Sequence, residues 1–116
     1  MCVGISSLIE LAEKAAANLN FEGVSIFKGR IASGDQFIAG GAAQDRIQEN
    51  FAPYAVEMEG ASIAQVAYLN QVPYVIIRAI SDKADGGAEL SYEEFLPLAA
   101  KHASSLLEEM VKLLAQ

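Results

Sequence analysis

The sequence is poor in the side chains that bind metals or form disulfide bonds, since it contains one cysteine, Cys2, and one histidine, His102. A single cysteine excludes an internal disulfide and a zinc cluster built from thiolates. A single histidine argues against a metal site that uses imidazole ligands. We therefore expect neither a metal nor a cofactor.

Basic residues are also few, because 8 Lys and Arg stand against 15 Asp and Glu, for a formal net charge of -7. This acidic balance argues against a nucleic-acid partner and against a basic helix on a membrane surface. No apolar run reaches the roughly 18 residues of a membrane span. The first residues have no basic region typical of a signal peptide. We expect a soluble, cytoplasmic protein.

Several signature motifs are absent from the 116 residues as well, namely G-x-G-x-x-G, the phosphate-binding P-loop, G-x-S-x-G and H-E-x-x-H. What is present is an apolar, folding sequence, with 53% hydrophobic and 20% charged residues. The length suits at most one compact domain.

Helices and strands alternate along the predicted chain. Helical spacing predicts helices over residues 7–19, 42–50 and 60–70 and from residue 91 onward. Runs of β-branched and apolar residues predict strands over residues 24–31, 54–58 and 74–80. The last strand is almost continuously apolar, which predicts a central strand covered on both faces. The pattern indicates an α/β fold with a largely parallel sheet, of which three strands form only a part.

Each predicted strand is followed by a polar cluster. The clusters occupy residues 33–37, 57–60 and 81–85. Because ligands bind outside the carboxyl ends of strands in open α/β sheets, we expect a ligand cleft there.

Two carboxylates in the second cluster, Glu57 and Glu59, are expected on one face of their strand, with Met58 opposite. Such a pair suits the hydroxyls of a sugar, although either residue could instead be a solvated edge residue. Arg78, inside an apolar strand, is costly unless it pairs with a carboxylate, and we expect Glu59 to be that partner.

The other two clusters offer an acid and an aromatic ring. Asp82 follows the most apolar strand, where a partly desolvated carboxyl could act as a general acid; an Asx turn or a helix cap is the equal alternative. Phe37, in a glycine-flanked loop, could stack on a flat base or simply fill the core beneath the loop.

Four segments in this order resemble the bacterial 5′-methylthioadenosine/S-adenosylhomocysteine nucleosidases of the nucleoside phosphorylase superfamily. They are residues 32–38, 56–61, 78–85 and 90–95. The resemblance implies a nucleoside-phosphorylase-like mixed sheet flanked by helices. It also implies hydrolysis of the N-glycosidic bond of 5′-methylthioadenosine and S-adenosylhomocysteine to adenine and a thioribose product, a step of methionine salvage.

The same resemblance assigns catalytic roles. Asp82 resembles the acid that protonates purine N7 and contacts the 6-amino group, with Ser81 supporting it. Arg78 resembles the partner of Glu59 and of the attacking water. Cleavage of the N-glycosidic bond is faster when the base leaves as a neutral molecule and the oxocarbenium-like sugar is stabilised. The acid near N7 meets the first requirement, and the carboxylate near the ribose meets the second.

Substrate contacts follow from the resemblance too. Phe37 resembles the ring that stacks on adenine, and the backbone of Ile38 should bind the adenine edge. Met58 and Glu59 resemble the ribose contacts, which Glu57 joins as a candidate, and Tyr92 should line the pocket for the 5′-alkylthio group.

Family members are considerably longer, so we expect residues 1–116 to form a single partial domain, the truncated C-terminal portion of a nucleosidase domain. The half that is not matched carries the water-activating glutamate and much of the homodimer contact. Uncovered strand edges and apolar surface are therefore expected. A smaller departure is Gly60, where alanine is more usual.

The sequence leaves two alternatives to the nucleosidase open. One is a purine nucleoside phosphorylase of the same superfamily. The other is a noncatalytic module that binds adenine or assembles with another chain.

Overall fold

The computed structural model describes residues 5–80 and 92–116, which form four helices and two strands. In chain order these are α1 (Ile5–Leu19), β1 (Ile31–Ser33), α2 (Gly41–Phe51), β2 (Ala55–Glu57), α3 (Gly60–Leu69) and α4 (Tyr92–Leu114). The predicted α/β class is confirmed.

The helix boundaries lie close to those predicted. α1 begins at Ile5, two residues before the predicted start at residue 7. α2 ends where Ala52 takes a left-handed conformation, with φ 43° and its N–H bonded to the Gln48 carbonyl at 2.9 Å. α4 continues as a helix through Pro97.

The two strands are parallel, and α2 is the crossover helix that connects them. Ile31 pairs with Ala55 and Ser33 pairs with Glu57. This register aligns the carboxyl ends of both strands at one edge, and a right-handed helical crossover is the usual way to join parallel neighbours.

The predicted strand over residues 24–31 is wrong except at its last residue, and Ala32 and Ser33, predicted as loop, belong to β1. β-branched composition permits an extended chain, whereas a strand also needs a hydrogen-bonded neighbour. β2 offers its ladder partners only to Ile31–Ser33, and beyond them a single bond joins the Tyr54 N–H to the Arg30 carbonyl at 2.8 Å.

The predicted central strand over residues 74–80 is wrong as well. Within the described residues this segment has no assigned secondary structure and takes part in no backbone hydrogen bond with a neighbouring strand. Ile77 is 42% exposed and Ile80 is 58% exposed, so the segment is not covered on both faces. An apolar run alone does not supply the neighbours that a buried strand needs.

The core of the described chain lies between α1 and α4. Ala15, Ala16, Leu106 and Met110 are buried there, and Val75 packs against them. Two alanines in succession on α1 allow the helices to approach closely, while Leu106 and Met110 fill the space from α4. At the rim, the Asn18 amide donates a hydrogen bond to Glu109 at 3.1 Å.

Much apolar surface lies outside this core. α3, predicted over residues 60–70, exposes Ile63, Val66, Tyr68 and Leu69, and Gly60 is its one buried residue. In the described part of the chain nothing packs against this outer face of α3. None of the described helices combines the length and the hydropathy that crossing a membrane requires.

Candidate functional site

The polar clusters after β1 and β2 meet at one edge of the sheet, as the parallel pairing predicts. Ser33 and Glu57 are register partners at the strand ends, and the Gly34 N–H donates to the Glu57 carbonyl at 3.1 Å. The third predicted cluster, with Ser81 and Asp82, lies outside the described residues. Two of the three segments of the predicted cleft are therefore placed side by side.

The carboxylate of Glu57 lies over the N-terminus of α3. The Gly60 N–H donates to both carboxylate oxygens, at 2.9 Å to Oε1 and 2.7 Å to Oε2, and the Glu59 N–H donates to Oε2 at 3.2 Å. The first N–H groups of a helix have no partner within the helix and carry partial positive charge. Glu57 supplies that partner, with a side chain that is only 4% exposed.

Ser33 connects the two strand ends to the same helix. Its hydroxyl accepts a hydrogen bond from the Ala61 N–H at 3.0 Å and also bonds the Glu57 carboxylate. The sequence does not predict this role for Ser33, which depends on its place as the last residue of β1.

Burial by itself raises the pKa of Glu57, because it penalises the charged form. Hydrogen bonds from Ser33, Gly60 and Glu59, together with the charge of Arg78, outweigh that penalty and hold the pKa below its ordinary value of 4.5. Glu57 is therefore a buried, ionised acceptor.

Gly60 leaves no room between the helix backbone and this carboxylate. A Cβ added at Gly60 would lie 2.7 Å from Oε1 of Glu57 and 3.0 Å from its carboxyl carbon. The departure from the alanine usual in the resembled family thus lies directly against Glu57.

Arg78 lies between two carboxylates. Its Nε is 3.8 Å from Oε2 of Glu57, and its Nη2 is 3.8 Å from Oε2 of Glu59. The predicted pairing of Arg78 with Glu59 is confirmed, and the pairing with Glu57 is added to it. Because the Arg78 side chain is 40% exposed, solvent weakens both ion pairs.

Glu59 does not share a strand face with Glu57, because β2 ends at Glu57 and the chain bends before α3 begins. Its side chain is 64% exposed, and its Oε2 accepts from the Met58 N–H at 3.1 Å. In the described structure both contacts of this carboxylate go to Oε2, so Oε1 has no protein partner there and can accept from a ligand. Met58 is 48% exposed beside it.

The loop after β1 presents an aromatic ring. Phe37 is 74% exposed, which contradicts the alternative that it fills the core beneath the loop. Ile38 is half-buried next to it. Tyr92 is the first residue of α4, and its side chain, like Ser81 and Asp82, falls outside what the structure describes.

Glu59 and the exposed ring of Phe37 lie on the two segments that leave the same sheet edge, and the partly exposed guanidinium of Arg78 pairs with Glu59. A carboxylate oxygen can accept from sugar hydroxyls, and an aromatic face can stack on a base. The described residues include no group of three or more potential metal ligands.

Named proteins similar to this chain include nucleosidases from two bacteria. A 5′-methylthioadenosine/S-adenosylhomocysteine nucleosidase from Actinobacillus succinogenes is 48% identical over 105 residues, which cover 90% of this chain and 44% of that protein. A protein of the same name from Haemophilus influenzae is 46% identical over 108 residues. The chain thus spans less than half the length of the curated relatives it matches.

A solved structure has the same fold. The crystal structure of a candidate methylthioadenosine nucleosidase from Weissella paramesenteroides superposes with a TM-score of 0.81 at 30% identity, covering 92% of this chain and 45% of that one. The family model described as the Phosphorylase superfamily matches residues 4–112. With nearly its whole length matched, the chain belongs to the Phosphorylase superfamily.

Proposed function

We propose that this chain provides the adenine- and ribose-binding part of a nucleosidase that hydrolyses the N-glycosidic bond of 5′-methylthioadenosine and S-adenosylhomocysteine. The observation that carries the proposal is the exposed carboxylate of Glu59 paired with Arg78, on the sheet edge from which the Phe37 loop also leaves. The relatives that bear this name are 48% and 46% identical to the chain over 105 and 108 residues.

Ribose binding is assigned to the second cluster. Oε1 of Glu59 accepts from the ribose hydroxyls, while Met58 lies against the sugar. A carboxylate close to the ribose favours the positive charge that develops on the sugar as the glycosidic bond breaks. Arg78 orients Glu59 and contacts the attacking water.

Adenine binding is assigned to the first and third clusters. Phe37 stacks on the base, the Ile38 backbone bonds its edge, and Asp82, supported by Ser81, protonates N7 so that adenine leaves as a neutral molecule. Tyr92 lines the pocket for the 5′-alkylthio group.

Turnover needs a group that activates water, and we place that group in the part of the relatives that this chain does not match. The complete enzyme would then consist of this segment and a second one, assembled as a homodimer in the cytoplasm.

Adenine release from 5′-methylthioadenosine in phosphate-free buffer tests the proposal, beside calorimetric binding of adenine and of 5′-methylthioadenosine. We expect both ligands to bind, and Asp82→Asn to abolish any release. If release requires phosphate, the protein is a phosphorylase; binding of adenine without the nucleoside favours a noncatalytic module. If neither ligand binds, the proposal is wrong.

A further inference from the structure

The side chain of Glu57 is only 4% exposed, and its oxygens point at the protein and not outward. Its carboxylate accepts from Gly60, Glu59 and Ser33, and it faces the Nε of Arg78. With these partners, most of its acceptor capacity is used before a ligand arrives. A direct contact with the sugar would require some of these bonds to break.

We propose that Glu57 is a positioning residue, which shares Arg78 with Glu59 and thereby keeps Oε1 of Glu59 open for a ribose hydroxyl. This inference rests on the proposed function, and it replaces the direct substrate contact expected for Glu57 from the sequence.

The geometry of Arg78 supports separate roles for the two carboxylates, with Glu57 holding Arg78 and Glu59 binding the ribose. The guanidinium directs Nε to Glu57 and Nη2 to Oε2 of Glu59, with both distances at 3.8 Å. Arginine and a carboxylate prefer a bidentate pairing that uses both oxygens. If Glu57 did not hold Nε, Arg78 could pair with both oxygens of Glu59, and the ligand would lose its acceptor.

The bonds from the helix explain why Glu57 can compete for Arg78. Its side chain is 4% exposed and fixed by the backbone of Gly60 and Glu59, whereas the Glu59 side chain is 64% exposed. A fixed carboxylate loses little side-chain entropy when it binds a cation. Arg78 therefore has one partner fixed by backbone hydrogen bonds, Glu57, and one exposed partner, Glu59.

Gly60 also contributes to the position of the Glu57 carboxylate. A Cβ at residue 60 would lie 2.7 Å from Oε1 of Glu57, so an alanine there requires this carboxylate to shift. Gly60→Ala displaces the carboxylate without changing any charge, and alanine is otherwise the better helix former.

The experiment compares Glu57→Gln, Gly60→Ala and the control Glu49→Gln, which removes an exposed charge on α2. Calorimetry measures adenine and 5′-methylthioadenosine separately. We expect the first two variants to bind the nucleoside about tenfold more weakly, as for a lost bond to a charged group. Adenine affinity should stay within about twofold in all three. Equal losses for both ligands, or none, would overturn the proposal.

A double-mutant cycle distinguishes positioning from direct contact. If Glu57 acts through Arg78, Glu57→Gln has little further effect on nucleoside affinity once Arg78→Met is present. Additive losses would instead mean that Glu57 touches the ligand itself, and the proposal would be wrong.

A structural readout separates this inference from the proposed function. In ¹⁵N-labelled protein, the Nε–H resonance of Arg78 should shift in Glu57→Gln and in Gly60→Ala but not in Glu49→Gln. If neither ligand binds the wild type, the proposed function fails, whereas these shifts still support the hold of Glu57 on Arg78. An unchanged Arg78 resonance in both variants refutes it, and Gly60→Ala supplies that answer even if Glu57→Gln unfolds.

Discussion

Replacing Glu57 with glutamine keeps the shape of the side chain but gives it one acceptor oxygen and one amide group. The oxygen can still accept from Gly60, while the amide then faces donors only, the Glu59 N–H or the Nε of Arg78. Losing one bond to a charged, buried group and the favourable charge at the helix N-terminus should cost about 2–4 kcal/mol. The half-exposed pair with Arg78 adds little.

The loss should depend on pH. The pKa of Glu57 is lowered by folding from its ordinary 4.5. Its contribution to the free energy of unfolding is therefore complete above pH 4.5 and disappears as the pH falls through the folded value. Glutamine does not titrate, so the difference in stability between wild type and variant should shrink in acid.

Urea unfolding followed by far-UV circular dichroism, from about pH 7 to about pH 3, measures this difference. Glu49→Gln is the matched control, since it removes an exposed carboxylate and should change stability by no more than about 0.5 kcal/mol. A difference between wild type and Glu57→Gln that stays constant over this range would show that the charge of Glu57 does not stabilise the fold.

Three further predictions test other parts of the structure, the first of them with a control substitution. Met110→Ala should lower the free energy of unfolding by about 2–5 kcal/mol because Met110 is 5% exposed in the core. The control Leu107→Ala, at a residue 61% exposed on the same helix, should lower it far less. Equal losses in urea unfolding would contradict the placement of Met110 in the core. Phe37→Ala should weaken adenine binding by about 1–3 kcal/mol in calorimetry without changing stability, because the ring is 74% exposed. Ala52→Gly should raise the melting temperature, since it relieves about 1–2 kcal/mol at a left-handed position with φ 43°; a decrease would refute that account.

The helices were predictable because their evidence is local. The spacing of apolar residues around Ala15 and Ala16 gives the buried face of α1 directly. The strands were less predictable, since residues 24–30 and 74–80 have strand-like composition but the described chain pairs only Ile31–Ser33 with Ala55–Glu57. Pairing depends on distant neighbours that local composition does not report.

At the candidate site, too, some contacts could be predicted from the sequence and others could not. The pairing of Arg78 with Glu59 was predictable because a charged residue in an apolar run needs an opposite charge. The contacts of Glu57 were not predictable, because its partners are the backbone N–H groups of Gly60 and Glu59. Almost every residue has a backbone N–H group, so the residue types do not show which of these groups a carboxylate will bind. Only the point at which β2 ends and α3 begins brings those groups to the carboxylate.

The contact between α1 and α4 has a consequence for how this chain folds during synthesis. Asn18 and Glu109, which join the two helices, are 91 residues apart, and the core residues Ala15 and Met110 are similarly distant. A ribosome therefore releases α1 long before its partner exists, and closing so long a loop carries an entropic cost that slows folding. β1 and β2 are separated by α2 alone, so the strand pair that organises the site can form first. Until α4 has been synthesised, the apolar face of α1 has no α4 to pack against.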